Sequence, residues 1–168
     1  MERNIIKELI VWKNKKENKN PILLYGARQV GKTFILTKFA KENFVNYIYL
    51  NFEQNPSLSS IFENDLSIKN IIKYIEAYTD TTISQQNTLI FFYEIQICER
   101  ALTSLKYFAE SESKYHVVAA GSLLGVVVNR EKYSFPVGKV EMKTLFPLNF
   151  EEFLMALSKN ILIEEIKN

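Results

Sequence analysis

Residues 26–33 read GARQVGKT. The spacing is glycine, four residues, glycine, lysine and threonine, and its chemistry is the binding of a phosphate chain. Gly26 and Gly31 permit backbone conformations that a β-carbon obstructs. The loop through Ala27, Arg28, Gln29 and Val30 can then turn its N–H groups inward around phosphate oxygens. Lys32 supplies a point charge for the β- and γ-phosphates, and the Thr33 hydroxyl is the candidate ligand for Mg²⁺. Arg28 has two readings, a phosphate or neighbour contact and a surface salt bridge, and the salt bridge is favoured.

A second candidate is LIFFYEIQ, residues 89–96. An apolar run ends at Tyr93 and then one carboxylate, Glu94. In phosphate-loop NTPases the acidic strand usually places an aspartate at the metal, and a following glutamate can polarise the attacking water. Glu94 is either such a base or a surface acid at a strand end, and the accompanying phosphate loop favours the base. The third candidate is VVAAGS, residues 117–122. Ser122 has two evenly weighted readings: a contact to the γ-phosphate or attacking water, and the N-cap of a following helix.

The elements that must position these groups alternate along the chain. Residues 3–12 space Ile5, Ile6, Leu9 and Ile10 as one helical face. KNKKENKN (13–20) is a solvated connector and is expected to be a flexible surface loop. Residues 21–25 form a short apolar strand and 32–43 a helix. Residues 47–52 are strand-like, whereas 57–64 and 67–80 have helical patterns. Strand 88–92, helix 100–111 and strand 115–122 follow. Residues 123–129 are ambiguous. A strand is expected over 139–148 and a helix over 149–160, with Asn149 as N-cap. Strands alternating with helices imply an α/β fold with a parallel sheet covered on both faces.

Composition narrows the class. The chain has 168 residues, 47% hydrophobic and 24% charged, enough for one domain with a real core. The formal net charge of +2 gives no support to nucleic-acid binding. Cys98 is the only cysteine, which excludes an internal disulfide and fits a reducing compartment. It reads as a buried or loop thiol. His116 has no His or Cys partner at ligand spacing, so a zinc site is not expected. No apolar run approaches the roughly 20 residues of a membrane span. A cytoplasmic protein without membrane contact is expected.

LLYGARQVGKT, YIYLNFEQN, LIFFYEIQ, VVAAGSLLG and LFPLNFEEFL, in this order, resemble the AAA-type P-loop ATPases. More narrowly they resemble the ATPase core of the bacterial and archaeal DUF4143-containing group. The resemblance covers residues 20 to 158. It implies ATP with Mg²⁺, a three-layer P-loop fold and a sheet of about five strands in the order 5-1-4-3-2. It makes Ser122 a sensor-like residue beside the γ-phosphate. The implied organisation is an N-terminal helix and connector (1–20), the ATPase core (21–160), and at 161–168 the start of a C-terminal region into which relatives continue; either the chain is a fragment or the protein lacks that region. Apolar residues in LFPLNF would stay exposed without that region, so a homo-oligomer is one expected consequence.

Two positions depart from the family pattern. Tyr93 stands where the metal-side aspartate is expected, while Glu94 and Gln96 keep their places. Gly138-Lys139 stands where Gly-Arg is frequent, and lysine is a poorer bidentate phosphate ligand, so no arginine finger is assigned there. A tyrosine is neutral near pH 7 and a poor metal ligand while protonated. Nucleotide binding is expected to persist, and hydrolysis to be impaired. The alternatives are a nucleotide-gated binding module without turnover, and a DNA-associated ATPase.

Overall fold

The computed structural model describes residues 3–122, 136, 138–149, 152, 153 and 157. Helix α1 spans Asn4–Lys13, and strand β1 spans Ile22–Gly26. Helix α2 (Lys32–Asn43), strand β2 (Asn46–Asn51) and helix α3 (Ile68–Thr79) follow. Strand β3 (Thr88–Tyr93), helix α4 (Glu99–Glu110), strand β4 (His116–Ser122) and strand β5 (Glu141–Thr144) complete the described elements. The five strands form one sheet in the order β2-β3-β4-β1-β5. Every pairing is parallel. This is the expected order, read from the opposite edge.

Side-chain parity divides the core in two, because successive strand residues face opposite sides of a sheet. Ile22, Leu24, Leu89, Phe91, Val118 and Ala120 pack against α1 and α2. Leu23, Ile48, Leu50, Ile90, Phe92, Val117 and Ala119 pack against α3 and α4. The central strands are therefore apolar on both faces, as a sheet sandwiched between helices requires.

Three segments differ from the sequence expectations. Residues 57–64 were expected as an ordinary helix, but Pro56–Phe62 is a 3₁₀ helix. Pro56 fixes its start, and burial of Leu58, Ile61 and Phe62 holds the tight turns in place. The strand expected over 139–148 is only four residues long. Gly138 turns the chain at φ 72° just before it, and the Phe146 carbonyl beyond it accepts from Arg3 Nη2 at 2.5 Å instead of a sheet neighbour. The connector after α1 is solvated but anchored. Lys13 Nζ donates to the Asn43 carbonyl, Lys15 pairs with Glu141 at 2.9 Å, and Lys19 Nζ donates to the Lys13 carbonyl at 2.6 Å. Residues 123–129 and most of 149–160 lie outside the described residues. Asn149 does act as a cap, accepting from the Glu152 N–H at 2.8 Å while Glu152 Oε2 accepts from the Asn149 N–H at 3.1 Å.

Candidate functional site

Parallel strands place all their C-terminal ends at one edge of the sheet, and the candidate groups gather there. Gly26, the last residue of β1, is in register with Ser122 of β4. Ala120 of β4 is in register with Tyr93 of β3, and Tyr93 with Asn51 of β2. The loop 27–31 leaves β1 at this edge and feeds straight into α2. Gln29 and Gly31 sit in the left-handed region at φ 64° and 95°. Such residues turn backbone N–H groups toward a common concavity. Gly31 is the N-cap of α2 and offers no side-chain cap, so the helix end is left open for an anion.

Lys32 is 5% exposed. Its ammonium donates to the carbonyls of Gly26 at 3.0 Å and Ala27 at 2.8 Å, which ties the end of the helix to the start of the loop. Burial pushes its pKa below the ordinary lysine value; the Glu94 charge opposes that shift and the Arg28 charge reinforces it. Lys32, Glu94 and Arg28 therefore share one electrostatic field. Thr33 is half-buried one residue further on.

Glu94 follows β3 with a left-handed backbone at φ 52° and caps a short 3₁₀ turn, Ile95–Ile97. The surface-acid reading of Glu94 fails, since the residue is only 8% exposed. Its Oε2 accepts from Gln96 Nε2. Tyr93 turns toward the α2 face and packs among aromatic rings, 5.8 Å from Tyr49 and 6.2 Å from Phe91 between centroids. The ring thus prolongs the hydrophobic layer to the sheet edge where the resemblance places a carboxylate.

The chain belongs to the AAA domain family. The family's pattern matches residues 18–154, which contain every group just described. Of the curated proteins, an uncharacterized protein of Methanocaldococcus jannaschii, MJ1637, is 25% identical over 167 residues. The match takes in 97% of this chain and 33% of the relative, so the chain spans about a third of that protein's length. Among solved structures, the Aeropyrum pernix ORC2 protein in ADPNP-ADP complexes superposes with a TM-score of 0.60 at 17% identity, covering 93% of this chain and 50% of that one. The Aeropyrum pernix ORC1 protein in complex with DNA gives a TM-score of 0.53 at 17% identity, covering 92% and 48%. At that identity the two structures speak for the shared fold.

Within this AAA domain several contacts escaped the sequence. Asn51, at the end of β2, is 5% exposed. Its Oδ1 accepts from the N–H groups of Glu53 at 3.0 Å and Gln54 at 3.1 Å, and its Nδ2 donates to the Tyr49 hydroxyl at 3.2 Å. The salt bridge favoured for Arg28 is not found among the described residues, where the side chain is exposed. Lys139 pairs with Glu110 at 3.4 Å, so its charge is engaged elsewhere on the surface. Cys98 is a buried thiol. Among the described residues no three His, Cys, Asp or Glu side chains group to hold a metal, and no helix is long and apolar enough to cross a membrane.

Proposed function

We propose that this AAA domain binds ATP with Mg²⁺ through residues 26–33, and that its hydrolysis is slowed because Tyr93 replaces the metal-side aspartate. The observation that carries the reading is the Lys32 ammonium, buried and held by the Gly26 and Ala27 carbonyls at the mouth of an uncapped helix. Backbone N–H groups of the loop would hold the phosphate chain. Lys32 would neutralise the β- and γ-phosphates, and Thr33 would hold the metal beside them. The metal, when bound, neutralises charge that develops on the transferred phosphoryl group. The metal would arrive with the nucleotide, since Mg²⁺ keeps several waters and needs few protein ligands. Glu94 would orient the attacking water, and Ser122, in register with Gly26, would sense the γ-phosphate.

Calorimetric titration with ATP and Mg²⁺, run beside a phosphate-release assay, tests this. Binding with slow release is expected. No binding to the intact chain would reject the reading. Tyr93 also favours a second outcome, a nucleotide-gated module that binds without turnover and acts by switching a partner. ATP binding with zero release in both the natural chain and Tyr93→Asp would select it. A DNA-associated role is tested by salt-dependent binding to a duplex.

A further inference from the structure

We propose that Gln96 is the positioning residue for Glu94. The proposal rests on the reading of Glu94 as the group that orients water. Glu94 has a left-handed backbone at φ 52°. Its main chain is fixed by the 3₁₀ turn, in which Ile97 N–H donates to the Glu94 carbonyl at 3.0 Å and Cys98 N–H to the Ile95 carbonyl at 3.0 Å. Ile95 is fully buried in the core on the α3 and α4 side and pins that turn. The carboxylate itself still needs a partner to select one rotamer.

The neighbouring polar groups supply one. Asn51 is committed to capping the end of β2 through both ends of its amide. Lys32 directs its ammonium to two loop carbonyls and acts on Glu94 only through its charge. Gln96 Nε2 donates to Glu94 Oε2, from a half-buried side chain on the same turn. One oxygen is thereby fixed, and on the proposed role Oε1 would accept from the attacking water. A neutral amide suits this task, because it restrains a carboxylate without offering a proton or a full charge. A cation there would be a stronger ligand and a competitor for phosphate.

The test uses Gln96→Ala, Gln96→Asn and Gln96→Glu in the full chain, each in the natural and the Tyr93→Asp background. ATP affinity is measured by calorimetry, hydrolysis by single-turnover phosphate release, and folding by thermal melting. Ala and Asn should bind ATP as the parent does, since neither touches the loop. Their hydrolysis should fall about tenfold to a hundredfold, the loss expected of a misplaced catalytic group. Gln96→Glu should move the acid limb of the rate profile to higher pH, because two adjacent carboxylates then share a proton. A merely structural role for Gln96 predicts a lower Tm in Gln96→Ala and Gln96→Asn with the single-turnover rate of the folded protein unchanged. If the parent hydrolyses ATP and Gln96→Ala and Gln96→Asn match its rate, the positioning role is rejected while the ATPase reading stands. If ATP binds and neither background hydrolyses it, both the positioning role and the catalytic reading of Glu94 fall.

Discussion

The carbonyl oxygen of Leu145 occupies the space that a β-carbon on Gly26 would need. Leu145 also donates its N–H to the Tyr25 carbonyl at 2.8 Å, so the chain beyond β5 lies directly on the first residue of the phosphate loop. Its neighbour Phe146 is held by Arg3, whose Nε pairs with Glu152 at 3.2 Å in a buried ion pair. The N-terminal helix, the segment after β5 and the loop thus meet at one point.

Gly26→Ala should therefore disturb that segment and the loop together. The clash is with backbone, which cannot rotate away, and the cost should be about 1–3 kcal/mol. Gly31→Ala meets nothing within contact distance and suffers only from its positive φ, at about 1–2 kcal/mol. Denaturant unfolding of both variants, with proteolysis at residues 145–153 as a second readout, separates them. Greater proteolysis in Gly31→Ala would refute the assignment.

Lys32→Met should separate stability from binding. Removing the ammonium relieves the burial that lowers its pKa, at the loss of two bonds to loop carbonyls. Those effects oppose each other, so Tm should shift by only a few degrees. The phosphates lose a charge-assisted contact worth ~3 kcal/mol, and ATP affinity should fall about a hundredfold. Melting curves beside calorimetry decide it; unchanged affinity would count against the phosphate role.

Tyr93→Asp should raise turnover. On the proposed function it supplies an anionic partner beside the metal, and it removes a ring from the layer shared with Tyr49 and Phe91. About two to four orders of magnitude in rate corresponds to ~3–5 kcal/mol of transition-state stabilisation. Phosphate release at saturating ATP is the measurement. Flat turnover with nucleotide still bound would show that Tyr93 is not the obstacle.

Acid should weaken the opposite end of the sheet. His116 is the sole histidine, and its Nε2 lies 3.0 Å from Lys19 Nζ while Nδ1 lies 2.9 Å from the Gln85 carbonyl. The fitting tautomer donates from Nδ1 and accepts at Nε2. Burial first, and then the Lys19 charge, hold its pKa below the ordinary 6.5. The unfolded chain takes up the proton near 6.5 and the folded chain only at lower pH. Between those values the unfolded state binds more protons, so stability falls as pH drops through that window. The fall in Tm from pH 7 to 5 should be larger in the natural chain than in His116→Asn. Trp12, with its ring 5.7 Å from the imidazole, reports the same event by fluorescence. Identical slopes would overturn this account.

The sequence alone determined the alternation of strands and helices, because a sheet buried on both faces demands apolar runs of strand length between helical patterns. It singled out residues 26–33 as the candidate phosphate loop for the same kind of reason, since GARQVGKT is contiguous and its proposed chemistry follows from local spacing. Helix α2 fell on the expected residues, Lys32–Asn43. The strand order followed from the resemblance. Tertiary structure decided what lies across the gaps. The space over Gly26 is filled by Leu145, far away in the chain, and no local pattern records that approach. Asn51 reads as an ordinary strand end until the turn it caps is in place. Whether Lys19 is a solvated lysine or a neighbour of His116 depends on the docking of α1 against the sheet. Periodicity and motif spacing are properties of consecutive residues, whereas these contacts exist only once distant segments have packed.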